Sequence, residues 1–538
     1  MRCSGRPLRL FPAWILLVLA VACSRAPETA RATRPLRAGL QSYPASLSLI
    51  GNTDRNSEMI AALITEGLVA YDARLGVQPR LARSWDVSPD GLTWTFHLRD
   101  GVRWHDGAAV TAEDVVFTVE KVRDPTTQSR SYLSQFQDLV SIEAVDPLTV
   151  RARYGTPYAD ALDSWTLPII PRHRAGADPD LLTGEFSRHP IGCGAFRLKS
   201  VDPGREIVLE ANDGFWEGRP ALDGIVLRVL PEERTAFEAL LLGDLDLMSV
   251  TADLWREAQV VPRARRLARF VTYPLSAWYI GWNQDGSNPF FLDPGVRRAM
   301  VLALDRTRFV SRVLSDLARP AVGTWHPDSI WFDSSLTPWP FDPAAAGTLL
   351  DESGWRDSDG DGVRDRDGAP LSFQLMIAAS SQEMTGRIAA WVQESLAKVG
   401  VRMTIERLEW KAFQERRSTH RFQAAMASLH FTPIPDQFEL YHSTSRGRGL
   451  NYVGFRDEEV DRLLVEGRRT FDSRARLEIY HRIQRRIHDL EPISPLFHFA
   501  SPVLHDARLE GLEPSPRGIW LIEPGPRRWR WAPPPGGD

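Results

Sequence analysis

One segment of this 538-residue chain constrains the local fold more than any other. Residues 91–118 read GLTWTFHLRDGVRWHDGAAVTAEDVVFT. Four apolar residues of the segment alternate with polar ones, namely Leu92, Trp94, Phe96 and Leu98. Such alternation predicts a half-buried strand. Asp100 and Gly101 suit a tight hairpin, so Val102 and Trp104 are expected on a return strand.

A helix is predicted directly after this hairpin. Thr111 can cap it, and Asp114 can reach back to the cap as in a capping box. Three apolar residues then fall on one helical face, namely Val115, Val119 and Val122. The segment is therefore expected to form strand, hairpin, strand, loop and helix.

The loop before this helix contains His105 and Asp106, two residue types that serve in catalysis. As an acid–base pair they would support an exported hydrolase. Neighbouring residues in an extended chain point to opposite faces, however, and rarely act together. The chain also contains neither GxSxG nor HExxH. We interpret the pair as loop architecture and predict no catalytic residue.

Strands and helices alternate along the rest of the chain. An amphipathic helix is predicted to end near Gly243, and another to begin at Asp293 and Pro294, which suit its cap and first position. The length is too great for one core, so two or three domains are expected. The pattern predicts an α/β protein with several lobes.

The formal charge of −4 gives no electrostatic reason to expect nucleic-acid binding, and no basic cluster or stacking motif is present. Hydrophobic content of 43% and charged content of 25% are ordinary for a globular protein. Nucleic acid is therefore excluded as a predicted partner.

The N-terminus has the layout of a secretory signal. Residues 1–22 carry three arginines and no acid, and the apolar run at 10–22 is shorter than the roughly 20 residues that a membrane-spanning helix needs. Small residues precede Cys23 as in the bacterial lipobox, so lipidation of Cys23 is predicted; the alternative is ordinary cleavage. Residues 23–35 are expected to form a tether. Cys193 is then left without an intrachain partner, and no disulfide is predicted.

Two groups of residues raise the question of a metal. Asp357, Asp359 and Asp361 match a calcium loop, but Gly368 stands where the bidentate glutamate is needed. A solvated hairpin turn is the favoured reading, and calcium the alternative. His481 and His488 share a helical face, but they are about 10 Å of rise apart, too far to share one ion. No metal site and no cofactor are predicted.

Longer segments resemble the extracytoplasmic solute-binding proteins of family 5, the receptors of peptide and nickel ABC importers. Residues 81–118 match that family's most recognisable stretch almost position by position. Five further segments extend the resemblance: 189–248, YIGWN at 279–283, DPGVRRAMVLALDR at 293–306, NYVGFRDEEVDRLLVEGRRT at 451–470 and YHRIQRRIHDLEPISPLF at 480–497. Together they cover nearly everything from residue 36 to 505.

The resemblance implies a two-lobed periplasmic-binding-protein-like α/β fold with an additional inserted domain. Lobe I would comprise residues 36–67, 189–283 and 499–538, the extra domain 68–188, and lobe II 284–498. Ligand would bridge the lobes and stabilise a closed form that the transporter recognises.

The resemblance also implies a place for the ligand, in SLHFTPIPDQFELYHS at 428–443. Oligopeptide and dipeptide receptors carry an aspartate here that pairs with the peptide's α-amino group, and Phe431 occupies its position. Phe431 is expected to form a pocket wall, while Asp436 could substitute for the aspartate or be a turn residue. His430 is a ligand contact or a hydrogen-bonded filler. Trp282 and Asn283 are expected at the crossover into lobe II, where they contact ligand or stabilise the hinge.

The leading functional prediction is a lipid-anchored, monomeric receptor of an ABC importer, in the periplasm or on the cell surface of a bacterium. Its partners would be a peptide or another small organic solute, the permease subunits and the membrane that holds the lipid. Besides the exported hydrolase, the alternative is a sensory lipoprotein without a transporter, which differs only in its protein partner.

Overall fold

The computed structural model describes residues 34–51, 54–127, 130–379, 383–446 and 449–533. The predicted signal at 1–22, Cys23 and most of the predicted tether lie outside these ranges. No helix within them is both long enough and apolar enough to cross a bilayer. Three sheets of four or more strands organise the described chain, and helices pack on them.

The seven-stranded sheet joins three distant parts of the chain. Across the sheet its strands are Leu267–Thr272, Ser501–Asp506, Leu247–Ser249, Leu36–Leu40, Gly224–Val229, Glu206–Ala211 and Phe196–Asp202. The central strand Leu36–Leu40 is parallel to Gly224–Val229 and to Leu247–Ser249. This strand is buried at every second residue and half-buried between, so one of its faces packs in the core and the other is partly covered.

Three helices pack on this sheet: Arg55–Ile64, Glu233–Leu242 and Ala252–Val260. The second ends as the sequence predicts, because Gly243 adopts a left-handed backbone with φ of 87°. Its apolar residues Phe237, Leu240 and Leu241 are buried against the strand Leu247–Ser249 and its surroundings.

The six-stranded sheet is built from the second half of the chain. Its strands, in order, are Ala318–Pro320, Ile493–Phe499, Ser276–Trp282, Ala424–His430, Ser372–Ala378 and Arg402–Leu408. The helices of this half are Pro294–Leu302, Arg306–Val313, Pro343–Glu352, Glu383–Ala397, Trp410–Ser418, Phe438–Tyr441, Glu458–Arg469 and Ser473–Leu490. The predicted helix start is confirmed: Asp293 Oδ1 accepts the backbone N–H of Gly295 at 2.7 Å, and Pro294 is the first helical residue.

The four-stranded sheet contains the first part of the segment 91–118. Its strands, in order, are Ala82–Val87, Thr93–Leu98, Thr149–Tyr154 and Leu139–Asp146. Trp94, Phe96 and Leu98 are buried as their alternation predicts. The following helix is Ala112–Arg123, and Asp114 Oδ2 accepts the backbone N–H of Thr111 at 2.9 Å. The predicted strand and the predicted helix with its capping box are both confirmed.

The expected return strand at 102–104 is wrong. This part of the chain folds onto its own loop, because the Trp104 N–H donates to Ala108 and the Val110 N–H donates to Val102. Only an isolated bridge joins Arg103 to Ala109. Val102 and Trp104 are nonetheless buried. The apolar pattern therefore predicted the burial of these side chains correctly and their pairing in a strand incorrectly.

The remaining elements are short. The strand pairs are Val69–Tyr71 with Val77–Pro79, Asp365–Arg366 with Ala369–Pro370, and Leu509–Glu510 with Arg530–Trp531. The short helices are Arg130–Leu133, Arg172–Ala175 and Glu185–Arg188. Residues Ala159–Thr166 form a 3₁₀ helix.

The chain crosses between the two larger sheets at two places. The first crossing lies between Thr272 and Ser276, and the second between Phe499 and Ser501. The first precedes the lobe boundary expected at 283, because the strand Ser276–Trp282 pairs within the six-stranded sheet. The second follows the boundary expected between 498 and 499, because Phe499 still pairs with Ala318 in the six-stranded sheet.

Candidate ligand-binding cleft

A cleft of about 1190 Å³ lies where the sheets meet. Its lining comes from helix Arg55–Ile64, strand Val69–Tyr71, the 3₁₀ helix Ala159–Thr166, residues 430–434 and residues 516–527. These segments belong to all of the regions that the sequence divides into lobes and extra domain. A single ligand in the cleft would therefore touch parts of the chain that the fold holds on different sheets.

One wall of the cleft carries His430 and Phe431, at the end of strand Ala424–His430. The backbone N–H of Phe431 donates to Leu275 at 2.8 Å, which fixes the chain beside the first crossing. The Phe431 ring lies edge-on to His498, with centroids 6.2 Å apart. Both residues line the cleft, and their contact with ligand stays a prediction.

Asp436 does not line this wall. Its carboxylate accepts the Arg468 Nε–H at 2.7 Å and the Phe438 backbone N–H at 2.9 Å, and the Tyr158 hydroxyl lies 3.4 Å away. The side chain is 4% exposed. These protein partners occupy the carboxylate, so the geometry favours a structural residue over a substitute for the missing aspartate.

Trp282 and Asn283 also lie away from the cleft lining. Trp282 is buried among Phe291 and Phe373, and its indole N–H donates to Ser494 at 2.9 Å. Asn283 is fully buried and donates to the carbonyls of His420 and Phe422. Their surroundings are protein on every side, so the packing role is the one that the geometry supports.

The floor of the cleft holds two acidic residues that sequence reasoning missed. Asp160 and Asp163 lie on the 3₁₀ helix Ala159–Thr166, and both line the cleft. Asp160 pairs with Arg476, and Asp163 accepts the Tyr71 hydroxyl at 2.5 Å. A signal was available: two aspartates three residues apart stand among apolar residues in YADALDSW.

Burial raises the pKa of both carboxyl groups. The pKa of Asp160 rises to about 6 because its desolvation outweighs the attraction of Arg476. The pKa of Asp163 rises to about 7, first because burial desolvates its carboxyl group and then because the negative charge of Asp160 lies nearby. Carboxyl groups with raised pKa values in a cleft are typical of functional sites.

The opposite side of the cleft carries a network of ion pairs. Arg80 pairs with Glu66, and also with Glu217 at 3.1 Å and Glu523 at 3.0 Å. Arg517 pairs with Glu58 at 2.7 Å. The Arg517–Glu58 pair ties the first helix to the C-terminal segment, and residues of both ion-pair groups border the cleft.

His105 and Asp106 do not form an acid–base pair. The His105 ring holds the loop that follows residue 191, since its Nδ1 accepts the Gly192 N–H and its Nε2 lies 3.2 Å from the Gly194 carbonyl. Burial lowers the pKa of His105 to about 4. Asp106 instead lies 2.8 Å from His173. The two side chains therefore serve different contacts, and neither lines the cleft.

Two further sequence features are placed away from the cleft. The carboxylates of Asp357, Asp359 and Asp361 lie within 4.8 Å of one another and are exposed. Asp357 accepts backbone N–H groups of its own loop, and Asp361 lies 3.1 Å from Arg402, contacts that suit a hairpin turn. His488 Nε2 lies 3.1 Å from the Thr337 carbonyl.

A family model for "Bacterial extracellular solute-binding proteins, family 5 Middle" matches residues 76–451. The oligopeptide-binding protein AppA of Bacillus subtilis (strain 168) is 32% identical over 496 residues, which cover 89% of each chain. The chain belongs to family 5 of the bacterial solute-binding proteins. The predicted family, whose members serve peptide and nickel ABC importers, is therefore confirmed.

Solved structures agree with the fold. The structure of AppA from Bacillus subtilis in complex with a nonapeptide matches with a TM-score of 0.66 and 29% identity, covering 93% of this chain and all of that one. HbpA2 from Haemophilus parasuis matches with a TM-score of 0.80 at 22% identity, covering 90% and 98%. The protein therefore has the two-lobed periplasmic-binding-protein fold, and the predicted fold class is confirmed.

Proposed function

We propose that this protein is a lipid-anchored receptor that captures a peptide, or another small organic solute, and delivers it to the permease of an ABC importer. One observation carries the proposal: the cleft is lined by segments from both larger sheets and from the four-stranded region. A ligand that contacts both lobes stabilises the form in which they are close together.

The two crossings of the chain supply the hinge for this motion. They lie side by side in the fold, because Thr272 pairs with Ser501 and Ser276 leads into a strand paired with Ile493–Phe499. Rotation at two adjacent crossings moves one lobe against the other without breaking either sheet, as in hinge closure of other binding proteins. We propose the same division into lobes and extra domain that the sequence predicts, with limits at 36–67, 68–188, 189–283, 284–498 and 499–538. The hinge between lobe I and lobe II would then lie at 272–276, before the limit at 283.

A peptide is the favoured ligand class. The relative AppA is named for oligopeptides, and its solved structure holds a nonapeptide. The cleft volume of about 1190 Å³ is ample for several residues. Phe431 and His430 would contact the ligand from the wall of the six-stranded sheet.

The anchor and location belong to the same proposal. Cys23 would carry the lipid, residues 24–35 would tether a monomeric body to the outer face of a bacterial membrane, and signal residues 1–22 would be removed. Metabolic labelling with a palmitate analogue tests this step: the label should appear in the parent and be lost in Cys23→Ser.

Ligand capture is tested on the soluble body, residues 24–538. Native mass spectrometry of the freshly purified protein should show a bound solute, which is then identified after denaturation. A solute present at a hundred times its Kd should raise the free energy of unfolding by about 2.7 kcal/mol and therefore raise the Tm. A protein that carries no solute, and whose Tm no peptide or sugar changes, would contradict the receptor function.

A further inference from the structure

One end of the seven-stranded sheet lies away from the cleft, and we call it the basal end. Four strands start or stop there: Leu36–Leu40, Leu247–Ser249 and Leu267–Thr272 begin, and Ser501–Asp506 ends. At the opposite end of the sheet Thr272 pairs with Ser501, beside the two chain crossings. A strand of six residues is about 20 Å long, so the basal end lies about 20 Å from the hinge.

Six arginines lie at the basal end, and only the fold brings them together. They come from three separate parts of the chain and are Arg34, Arg37, Arg263, Arg265, Arg266 and Arg508. Four of them border one groove. The 3₁₀ helix Pro262–Arg266, which leads directly into strand Leu267–Thr272, carries the other two.

Two buried aspartates hold four of these arginines in place. Asp246 and Asp506 are both enclosed by the protein. The ion pairs are Arg34 and Arg37 with Asp246, and Arg266 and Arg508 with Asp506. Each carboxylate therefore faces two guanidinium groups, and one positive charge is left over at each.

The remaining two arginines add to this excess. Arg263 and Arg265 are exposed, and neither forms an ion pair within the described part of the chain. Asp244 adds one exposed carboxylate, and the neighbouring Glu510 is matched by Arg530 at 2.9 Å. Six guanidinium groups are thus accompanied by three carboxylates, although the whole chain has a formal charge of −4. The basal end is opposite in sign to the chain as a whole.

Two large apolar side chains lie in solvent beside these arginines. Val260 and Leu242 are 79% and 64% exposed, and each is the last residue of a helix. The Arg266 guanidinium donates to the Leu240 carbonyl in the last turn of one of these helices. Exposed apolar residues among basic ones are typical of surfaces that lie on a bilayer, because the apolar side chains enter the headgroup region.

The predicted lipid anchor holds this same end of the body near a membrane. The described chain begins at Arg34, and only residues 24–33 separate it from Cys23. Even when fully extended, a chain of that length spans at most about 40 Å. The end of the body that follows the tether is thus the end that carries the positive charge.

We propose that the basal end rests on the anionic phospholipid headgroups of the membrane that holds the lipid. Guanidinium groups bind phosphate through paired hydrogen bonds, and each arginine near an anionic surface adds to the attraction. The cleft and the hinge, at the other end of the sheet, stay clear of the bilayer. The proposal rests on the proposed anchor at Cys23 and does not depend on which solute binds.

Vesicle sedimentation tests this surface on the mature chain in which Cys23→Ser removes the lipid. Vesicles of phosphatidylcholine are compared with an equimolar mixture of phosphatidylcholine and phosphatidylglycerol, at low and at high salt. The basal variant combines Arg263→Gln with Arg265→Gln. The matched control combines Arg308→Gln with Arg312→Gln, which removes two exposed arginines from a helix of the six-stranded half.

The parent should bind the anionic vesicles and not those of phosphatidylcholine, and salt should weaken binding by screening the charges. Each arginine near an anionic surface strengthens binding roughly fivefold, so the basal variant should bind roughly twentyfold more weakly. The control variant removes charges many screening lengths from the surface, so its binding should stay within about twofold of the parent. Both variants should keep the Tm of the parent, because the replaced side chains are exposed.

A second measurement reports the orientation of the lipidated protein. An environment-sensitive fluorophore is attached to Val260→Cys and, for comparison, to Trp410→Cys, a site that is 56% exposed on the other half of the chain. Cys193 is buried and does not compete for the label. In vesicles that contain phosphatidylglycerol, the emission should shift to the blue at position 260 and not at position 410.

Three results would overturn the proposal: equal binding to both kinds of vesicle, equal binding of the two double variants, and the same emission at positions 260 and 410. Loss of solute uptake in the basal variant without a change in vesicle binding would overturn it as well, and would assign the surface to the permease. Failure of the anchor is distinguishable, because the palmitate label is then missing from the parent while vesicle binding is measured on a chain that carries no lipid.

Discussion

The guanidinium of Arg476 pairs with the carboxylate of Asp160, and this ion pair joins helix Ser473–Leu490 to the 3₁₀ helix Ala159–Thr166. Their side chains are 7% and 1% exposed. The pair therefore connects the half of the chain that forms the six-stranded sheet to the segment that forms the floor of the cleft. The same aspartate faces the ligand space and the partner lobe.

Removing one member of this pair should be costly. Arg476→Ala leaves a buried carboxylate without its cation, and we expect it to lower the free energy of unfolding by about 3–5 kcal/mol. Urea unfolding followed by tryptophan fluorescence measures the change. Arg482→Ala on the same helix is the control, because its exposed pair with Glu459 is worth less than about 1 kcal/mol.

The double variant Asp160→Asn with Arg476→Met separates charge from packing. It removes both charges together, so it should recover much of the stability that Arg476→Ala loses. A double variant as unstable as the single one would show that Arg476 stabilises the fold through its contacts with Trp331 and Tyr480 instead.

Asp163 should make a pH-dependent contribution to stability. Its pKa is raised from 3.8 to about 7 in the folded protein, so the folded state holds a proton that the unfolded state has lost. The stabilisation from this proton is complete below pH 4 and is lost as the pH rises to 7. Asp163→Asn cannot titrate, so its stability relative to the parent should increase between pH 4 and pH 8.

Urea unfolding of the parent and of Asp163→Asn at a series of pH values measures this difference. The charges of Asp160 and Arg476 both act on the pKa of Asp163, and Asp160 titrates as well. The variant Asp160→Asn is therefore measured in parallel. A stability difference between parent and Asp163→Asn that stays constant from pH 4 to pH 8 would contradict the raised pKa.

Local sequence patterns predicted much of the fold. Alternation at Trp94, Phe96 and Leu98 gave a strand, and glycine at 243 ended a helix, because both signals act within a few residues. The return strand at 102–104 failed since the chain there bonds to its own loop, Val102 to Val110. Burial alone does not say which backbone groups pair.

The site was predicted in part. His430 and Phe431 lie in the lining of the cleft, at and directly after the end of a strand. Trp282 and Asn283 lie outside that lining and bond to other protein groups, and a contact of either with ligand stays a prediction. Asp160 was missed because its meaning depends on Arg476, which is far away in the sequence. Only the tertiary fold brings the two together.

His105 should stabilise the fold only in its neutral form. Its Nδ1 accepts the Gly192 N–H, and burial lowers its pKa from 6.5 to about 4. The unfolded state takes up a proton below pH 6.5 that the folded state refuses, so this contribution is complete above pH 6.5 and is lost as the pH falls towards 4. Arg197 disfavours the added proton further, and Asp106 only partly opposes this.

The advantage of the parent over His105→Gln should therefore shrink as the pH falls from 6.5 to 4. Denaturant unfolding at several pH values in this window measures it. His189→Gln is the matched control, since that imidazole is 70% exposed. An advantage of the parent that grows on acidification would mean that the ring is charged in the folded protein.

Phe431 should contribute to ligand affinity through its ring. The residue lines the cleft, and its position is fixed by the backbone bond to Leu275, which substitution of the side chain leaves in place. Phe431→Ala removes an aromatic surface worth roughly 1.5–3 kcal/mol when fully buried, so affinity for the co-purified solute should fall roughly tenfold to a hundredfold. Calorimetric titration measures the change. Trp410→Ala, which removes an aromatic ring 56% exposed and outside the cleft, should leave affinity unchanged. If both variants bind as the parent does, the ligand lies against the floor and the C-terminal segment and does not contact the wall of the six-stranded sheet.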